Sequence, residues 1–107
     1  MILATGEQIH GMKITKSLGL VRGNTIRARH IGRDFAAMFR GAIGGEIVEY
    51  TKMLAESREQ AIDRMTTEAE ALGANAIIML RFSTSSMMQG AAELLVYGTA
   101  VIAERES

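Results

Sequence analysis

Residues 75–83 read NAIIMLRFS and residues 94–103 read LLVYGTAVIA. Side chains in a strand alternate between faces, so each run can be split by parity. In the first, Ala76, Ile78, Leu80 and Phe82 share one parity, with Ile77 and Met79 on the other before Arg81. In the second, Leu94, Val96, Ala100 and Ile102 share one, and Leu95, Tyr97, Val101 and Ala103 the other. Both runs are short and rich in β-branched residues, which favours strands over helices. They read as an antiparallel hairpin, joined by STSSMMQGAAE, where Gly90 suits a long or irregular loop. An antiparallel sheet with one wet face alternates apolar and polar residues. This hairpin does not, so it needs cover on both faces.

Working toward the N-terminus, residues 46–72 carry the longest helical pattern, with Ile47, Tyr50, Leu54, Ala61, Met65 and Leu72 recurring near a heptad. Arg58 falls on that stripe, Lys52, Glu56, Glu59, Asp63 and Glu70 fall opposite, and Gly73 is the expected left-handed stop. Before it, Asp34 is a candidate N-cap for a short helix bearing Phe35, Met38, Phe39 and Ala42, ended by Gly44-Gly45. Lys13 to Arg27 reads as a long, bent strand with Ile14, Leu18, Leu20 and Ile26 on one parity and Gly19 as a candidate bulge. A short strand at Ile2 to Ala4 is weakly signalled. The fold class is therefore α+β: a β-α-β-β subunit with a small antiparallel sheet, packed by one long helix plus a short helix, in a single domain over residues 1–107.

One long helix covers one face of such a sheet. The second face holds about six sizeable apolar side chains, worth on the order of 10 kcal/mol if buried, a term as large as the stability of a typical domain. A helix of eight or nine residues spans only about 12 to 14 Å and cannot cover them all. Other copies of the chain are the expected cover, as a closed symmetric oligomer.

Composition bounds the chemistry. The 107 residues are 48% hydrophobic and 22% charged, and twelve Lys and Arg balance twelve Asp and Glu. Zero net charge removes the basic footprint of nonspecific nucleic-acid or anionic-lipid binding, and no apolar run is long enough for a membrane span. Neither partner is expected, and the cytoplasm is the expected location. Without cysteine, disulfides, thiolate metal sites and a Cys nucleophile are excluded. There is no Gly-x-Ser-x-Gly elbow.

Several segments together resemble a known family: GLVRGN (residues 19–24), RDFAAMFRGAIGGE (33–46), EYTKML (49–54), ALGANAII (71–78) and YGTAV (97–101), in that order and spacing. They are similar to the YbjQ-like family, labelled "putative heavy-metal-binding domain", from about Met12 to Glu104. The resemblance implies a β-α-β-β subunit, a ring of five copies, and no established activity.

Soft metals take thiolate, thioether or imidazole ligands, and the chain offers His10, His30 and eight methionines. The metal candidates are His30 and Asp34, four residues apart, with Glu46 and Glu49 beyond the glycines, and the adjacent Met87 and Met88 outside the patterned segments. The plainer reading makes Asp34 a cap, Glu46 a favourable charge at a helix start and the other methionines core filler. The cofactor, if any, is a metal ion. The first functional reading is a non-enzymatic ring protein holding a heavy metal or small ligand at intersubunit surfaces. The alternatives are a small oligomeric enzyme with a site around His30, Asp34 and Glu46, and a ligand-free scaffold module.

Overall fold

A computed structural model describes residues 1–28, 44–88 and 91–106. They form β1 (Ile2–Leu3), β2 (Met12–Ala28), α1 (Gly44–Ala71), β3 (Ala76–Met88) and β4 (Ala91–Arg105). One four-stranded sheet runs in the order β1-β3-β4-β2. β4 is antiparallel to both neighbours, whereas β1 lies parallel to β3, Ile2 opposite Ala76. The class is α+β as expected, but the sheet is mixed, because the N-terminal strand enters beside β3. The short helix expected from Asp34 to Ala42 lies outside the described residues.

Helix α1 packs across β2 and β4. Its buried stripe is Ser57, Ala61, Met65 and Ala69, spaced by four, so Ser57 takes the place expected for Arg58, while Leu54 and Leu72 are exposed. Small residues on this stripe let the backbones approach: a Cβ on Gly23 of β2 would land on the Ala61 carbonyl oxygen and 2.5 Å from the Met65 nitrogen. Thr25 Oγ1 donates to the Ser57 carbonyl and Arg64 Nη1 donates to the Asn24 carbonyl at 2.6 Å, fixing α1 along β2. The helix ends as its sequence dictates. Gly73 adopts φ 85°, and the Ala74 and Gly73 amides donate to the carbonyls of Ala69 and Glu70, a Schellman closure.

The parity of β4 is as expected: Val96 and Ala100 face α1, while Val101 and Ala103 face away. That of β3 breaks. Met79 has φ 56°, and the ladder jumps from Ile78 opposite Thr99 to Arg81 opposite Tyr97. One extra residue in β3 is a bulge, and it moves Leu80 to the face of Ile77, under α1. The bulged amides are satisfied outside the ladder, Met79 donating to Gly6 and Leu80 to Ala4. In β2, register shifts between Ile14 and Lys16 and between Ser17 and Gly19 put Leu18 against the helix-side core and Ile14 on the opposite face. Gly19, at φ 107°, ends the second irregularity. Strands β3 and β4 also run further than expected, with Met88 still opposite Ala91, because the hairpin ladder continues through the polar STSS stretch.

The second face is only partly bare, contrary to expectation. The N-terminal segment crosses it, and Ala4, Ile9, Met12 and Ile14 pack on Ala76, Ile78, Val101 and Ala103. Asn75 anchors this end: its amide donates to the Ala103 carbonyl and accepts from the Ala103 amide, each at 2.8 Å. Ile77, on the other face, is fully buried within its own subunit.

Cover runs out toward the far half of the sheet. Leu20 is 65% exposed, Ile26 53% and Phe82 44%. The longest dimension, 59 Å, is about that of a 17-residue strand, which is β2. The radius of gyration is 17.5 Å, where a globule of this length has about 13 Å.

Candidate functional site

Of the candidate residues, Glu46, Glu49, Met87 and Met88 come from two segments that the fold brings toward one end. Ala91 lies opposite both Ala28 and Met88, so β2 ends beside the turn of the hairpin, and His30 follows Ala28 by two positions in sequence. Helix α1 runs antiparallel to β2, since Ser57 meets Thr25 and Ala61 meets Gly23. From Ser57 it continues 13 residues to Gly44, about 20 Å further, toward that same end. Glu46 is in the first turn of α1 and Met87 and Met88 are the last residues of β3, not in a loop. His30 and Asp34 lie outside the described residues.

The chemistry of the donor set can be tested on the rest of the chain. Among the described residues no three His, Cys, Asp or Glu side chains gather as metal ligands do, and Met65 is sealed in the core. A cleft of about 430 Å³ between the N-terminal segment and β2 is lined by Glu7, Gln8, Met12, Lys13, Ile14 and Glu106. Its two carboxylates share the space with the Lys13 ammonium, which opposes a cation there. The described His, Asp and Glu side chains of one copy do not form a metal site. Among the described residues, no helix is long and apolar enough to cross a membrane.

A second arrangement escaped sequence reasoning. Tyr97 in β4 lies directly opposite Arg22 in β2 and Arg81 in β3. Cross-strand partners project to the same side of a sheet, so an exposed tyrosine lies between two exposed arginines, on the face away from α1. Arg81 Nη1 donates to the carbonyls of Thr5 at 2.6 Å and Leu80 at 2.8 Å, which holds this side chain at the edge of the N-terminal cover. Only strand register could have revealed the row, because its members are 75 and 16 positions apart along the chain.

Comparison with known proteins agrees with this architecture and with the ordered motifs. The chain is 61% identical over 104 residues to a UPF0145 protein of Dehalococcoides mccartyi, spanning 97% of this chain and 100% of the relative. It is 54% identical over 107 residues to a UPF0145 protein of Clostridioides difficile, spanning 100% of this chain and 96% of the relative. Among solved structures, a protein of unknown function of the DUF74 family from Pediococcus pentosaceus superposes with a TM-score of 0.64, covering 97% of this chain and 98% of that one, at 18% identity. That likeness is one of fold. The family described as "Putative heavy-metal-binding" matches residues 1–104, and with these relatives it places the chain in the YbjQ-like, UPF0145 family.

Proposed function

We infer that the chain is a non-enzymatic, ring-building subunit whose copies join head to tail through the two opposite edges of the sheet. The observation that carries this reading is the pair of unlike apolar edges. On β2, Leu20 and Ile26 are exposed; along β1 and β3, Ile2, Leu3, Met79 and Phe82 are exposed. Each edge also has backbone groups without a ladder partner among the described residues, along β2 and along β3 beyond Leu80. Two different sticky edges on opposite sides of one subunit suit a heterologous joint, and heterologous joints close into rings. The β3 edge from Phe82 to Ser86 has no charge, and β1 reaches only its start. Uncovered edges of this kind are templates for another strand. The resemblance to the family supports a ring of five.

In this reading ligands sit between copies. The start of α1 with Glu46 and the end of β3 with Met87 and Met88 lie toward one end of the subunit, His30 and Asp34 are candidates from the sequence alone, and each recurs in every copy. A soft or borderline cation is the candidate cargo, with donors drawn from more than one chain.

Light scattering at micromolar concentration tests the assembly: one species of about five chain masses supports it, and an 11.6 kDa monomer overturns it. Thermal shifts with silver, copper(I) and zinc test the cargo, because a ligand of the native state raises the melting temperature by mass action. A soft-metal shift abolished by Met87→Leu with Met88→Leu supports an intersubunit thioether site, and no shift with any metal retires it.

A further inference from the structure

We propose that the row Arg22, Tyr97 and Arg81 is a binding site for a small planar aromatic anion, its ring stacked on Tyr97 and its charged group held by the two guanidinium groups. The site is complete within one chain and lies on the central strand β4 rather than on either sheet edge, so it stands independently of the assembly proposed above.

Three observations point to this ligand class. First, the register fixes the order cation, ring, cation across three adjacent strands, with neighbouring Cα atoms about 5 Å apart. The two arginines therefore flank the tyrosine, with Arg81 Nη1 held by the Thr5 and Leu80 carbonyls and its Nε and Nη2 groups left to meet an anion. Second, neither arginine has a carboxylate partner among the described residues. Arg81 Nη1 donates to the Thr5 and Leu80 carbonyls, which are neutral acceptors. The near carboxylate on this face, Glu93, is four residues along β4, about 13 Å away, and already accepts from Asn24 Nδ2 at 3.1 Å. Glu7 follows Thr5 by two residues, and no ion pair joins it to Arg81 among the described residues; with Glu106 it lines the cleft beside Met12 and Ile14. Third, Tyr97 is 36% exposed on a sheet face, which offers part of an aromatic ring for stacking.

The combination excludes as well as selects. Two unpaired guanidinium groups repel a metal cation, so this row is not the donor set the family description calls for. An aliphatic anion would use the arginines and waste the ring, and a neutral aromatic would do the reverse. Guanidinium groups match carboxylate and phosphate in planar, paired hydrogen bonds, and aromatic stacking adds to them without demanding one particular ring system.

Calorimetric titration of the native chain with adenosine monophosphate tests the proposal, with adenosine and inorganic phosphate as separate arms. The expected result is saturable binding at one per chain, tighter than either arm alone. Arg22→Gln removes one cation without touching any side-chain hydrogen bond among the described residues and weakens binding at least about tenfold, as does Tyr97→Leu. Lys16→Gln, an equal loss of charge on the opposite face of β2, leaves it unchanged. Equal binding of adenosine removes the role of the arginines, equal binding of phosphate removes that of the ring, and equal weakening by Lys16→Gln reduces the effect to diffuse attraction. Each overturns the proposal, as does the absence of saturable binding. Light scattering on the same samples reads assembly separately, so a monomer that binds the nucleotide contradicts the ring and leaves this site standing.

Discussion

Gly23 of β2 and Ala61 of α1 meet backbone to backbone, with no room for a methyl group between strand and helix. This contact seats the only described helix on the sheet, and the Thr25 and Arg64 hydrogen bonds flank it.

Gly23→Ala is expected to destabilise the fold by about 2 to 3 kcal/mol, because the helix must lift off the sheet to admit the added atoms. Gly19→Ala has open space around it but forces a side chain into φ 107°, and is expected to cost about 1 to 2 kcal/mol through backbone strain alone. Urea unfolding separates the two. An equal or smaller loss for Gly23→Ala contradicts the close approach.

Met65 is the largest fully buried side chain of the helix-side core. Met65→Ala is expected to lower stability by about 2 to 5 kcal/mol, whereas Leu54→Ala, at an exposed position on the same helix, shifts it by less than about 1 kcal/mol. Thermal unfolding of each variant beside the unsubstituted chain at the same concentration checks both.

Arg81 holds the N-terminal segment by its bond to the Thr5 carbonyl. Arg81→Gln is expected to loosen residues 4–9 while leaving the α1 side of the sheet intact. Hydrogen exchange reads this at the amides of Met79 and Leu80, which donate to Gly6 and Ala4. Their protection falls by about tenfold or more, the equivalent of one hydrogen bond, while that of Val96 is unchanged.

Much of the fold is legible in the residues themselves. The helical period and Gly73 locate the end of α1, and the uniform alternation of β4 assigns its faces correctly. The parity of β3 fails at Met79, where a positive φ at a residue with a side chain goes with the bonds that Met79 and Leu80 donate to the Gly6 and Ala4 carbonyls, which no local pattern announces. For the same reason the cover over Ala76, Ile78, Val101 and Ala103 is hidden: Ile9 and Met12 sit in a segment without strand or helix periodicity. Of the candidate site, the sequence spacing of His30, Asp34 and Glu46 suggests proximity, whereas the approach of Met88 to Ala28 through Ala91 depends on tertiary register. The Arg22, Tyr97 and Arg81 row depends on it entirely.

The two edges of the sheet admit a complementation experiment. Leu20→Glu places a charge on the β2 edge and Phe82→Glu places one on the β3 edge, so each variant alone keeps a single sound joint surface and stays at 11.6 kDa. Mixed in equal amounts, the sound β3 edge of the first meets the sound β2 edge of the second, and light scattering is expected to show a species of two chains that appears only in the mixture. Self-association of either variant alone, or a mixture that remains monomeric, contradicts head-to-tail joining through opposite edges.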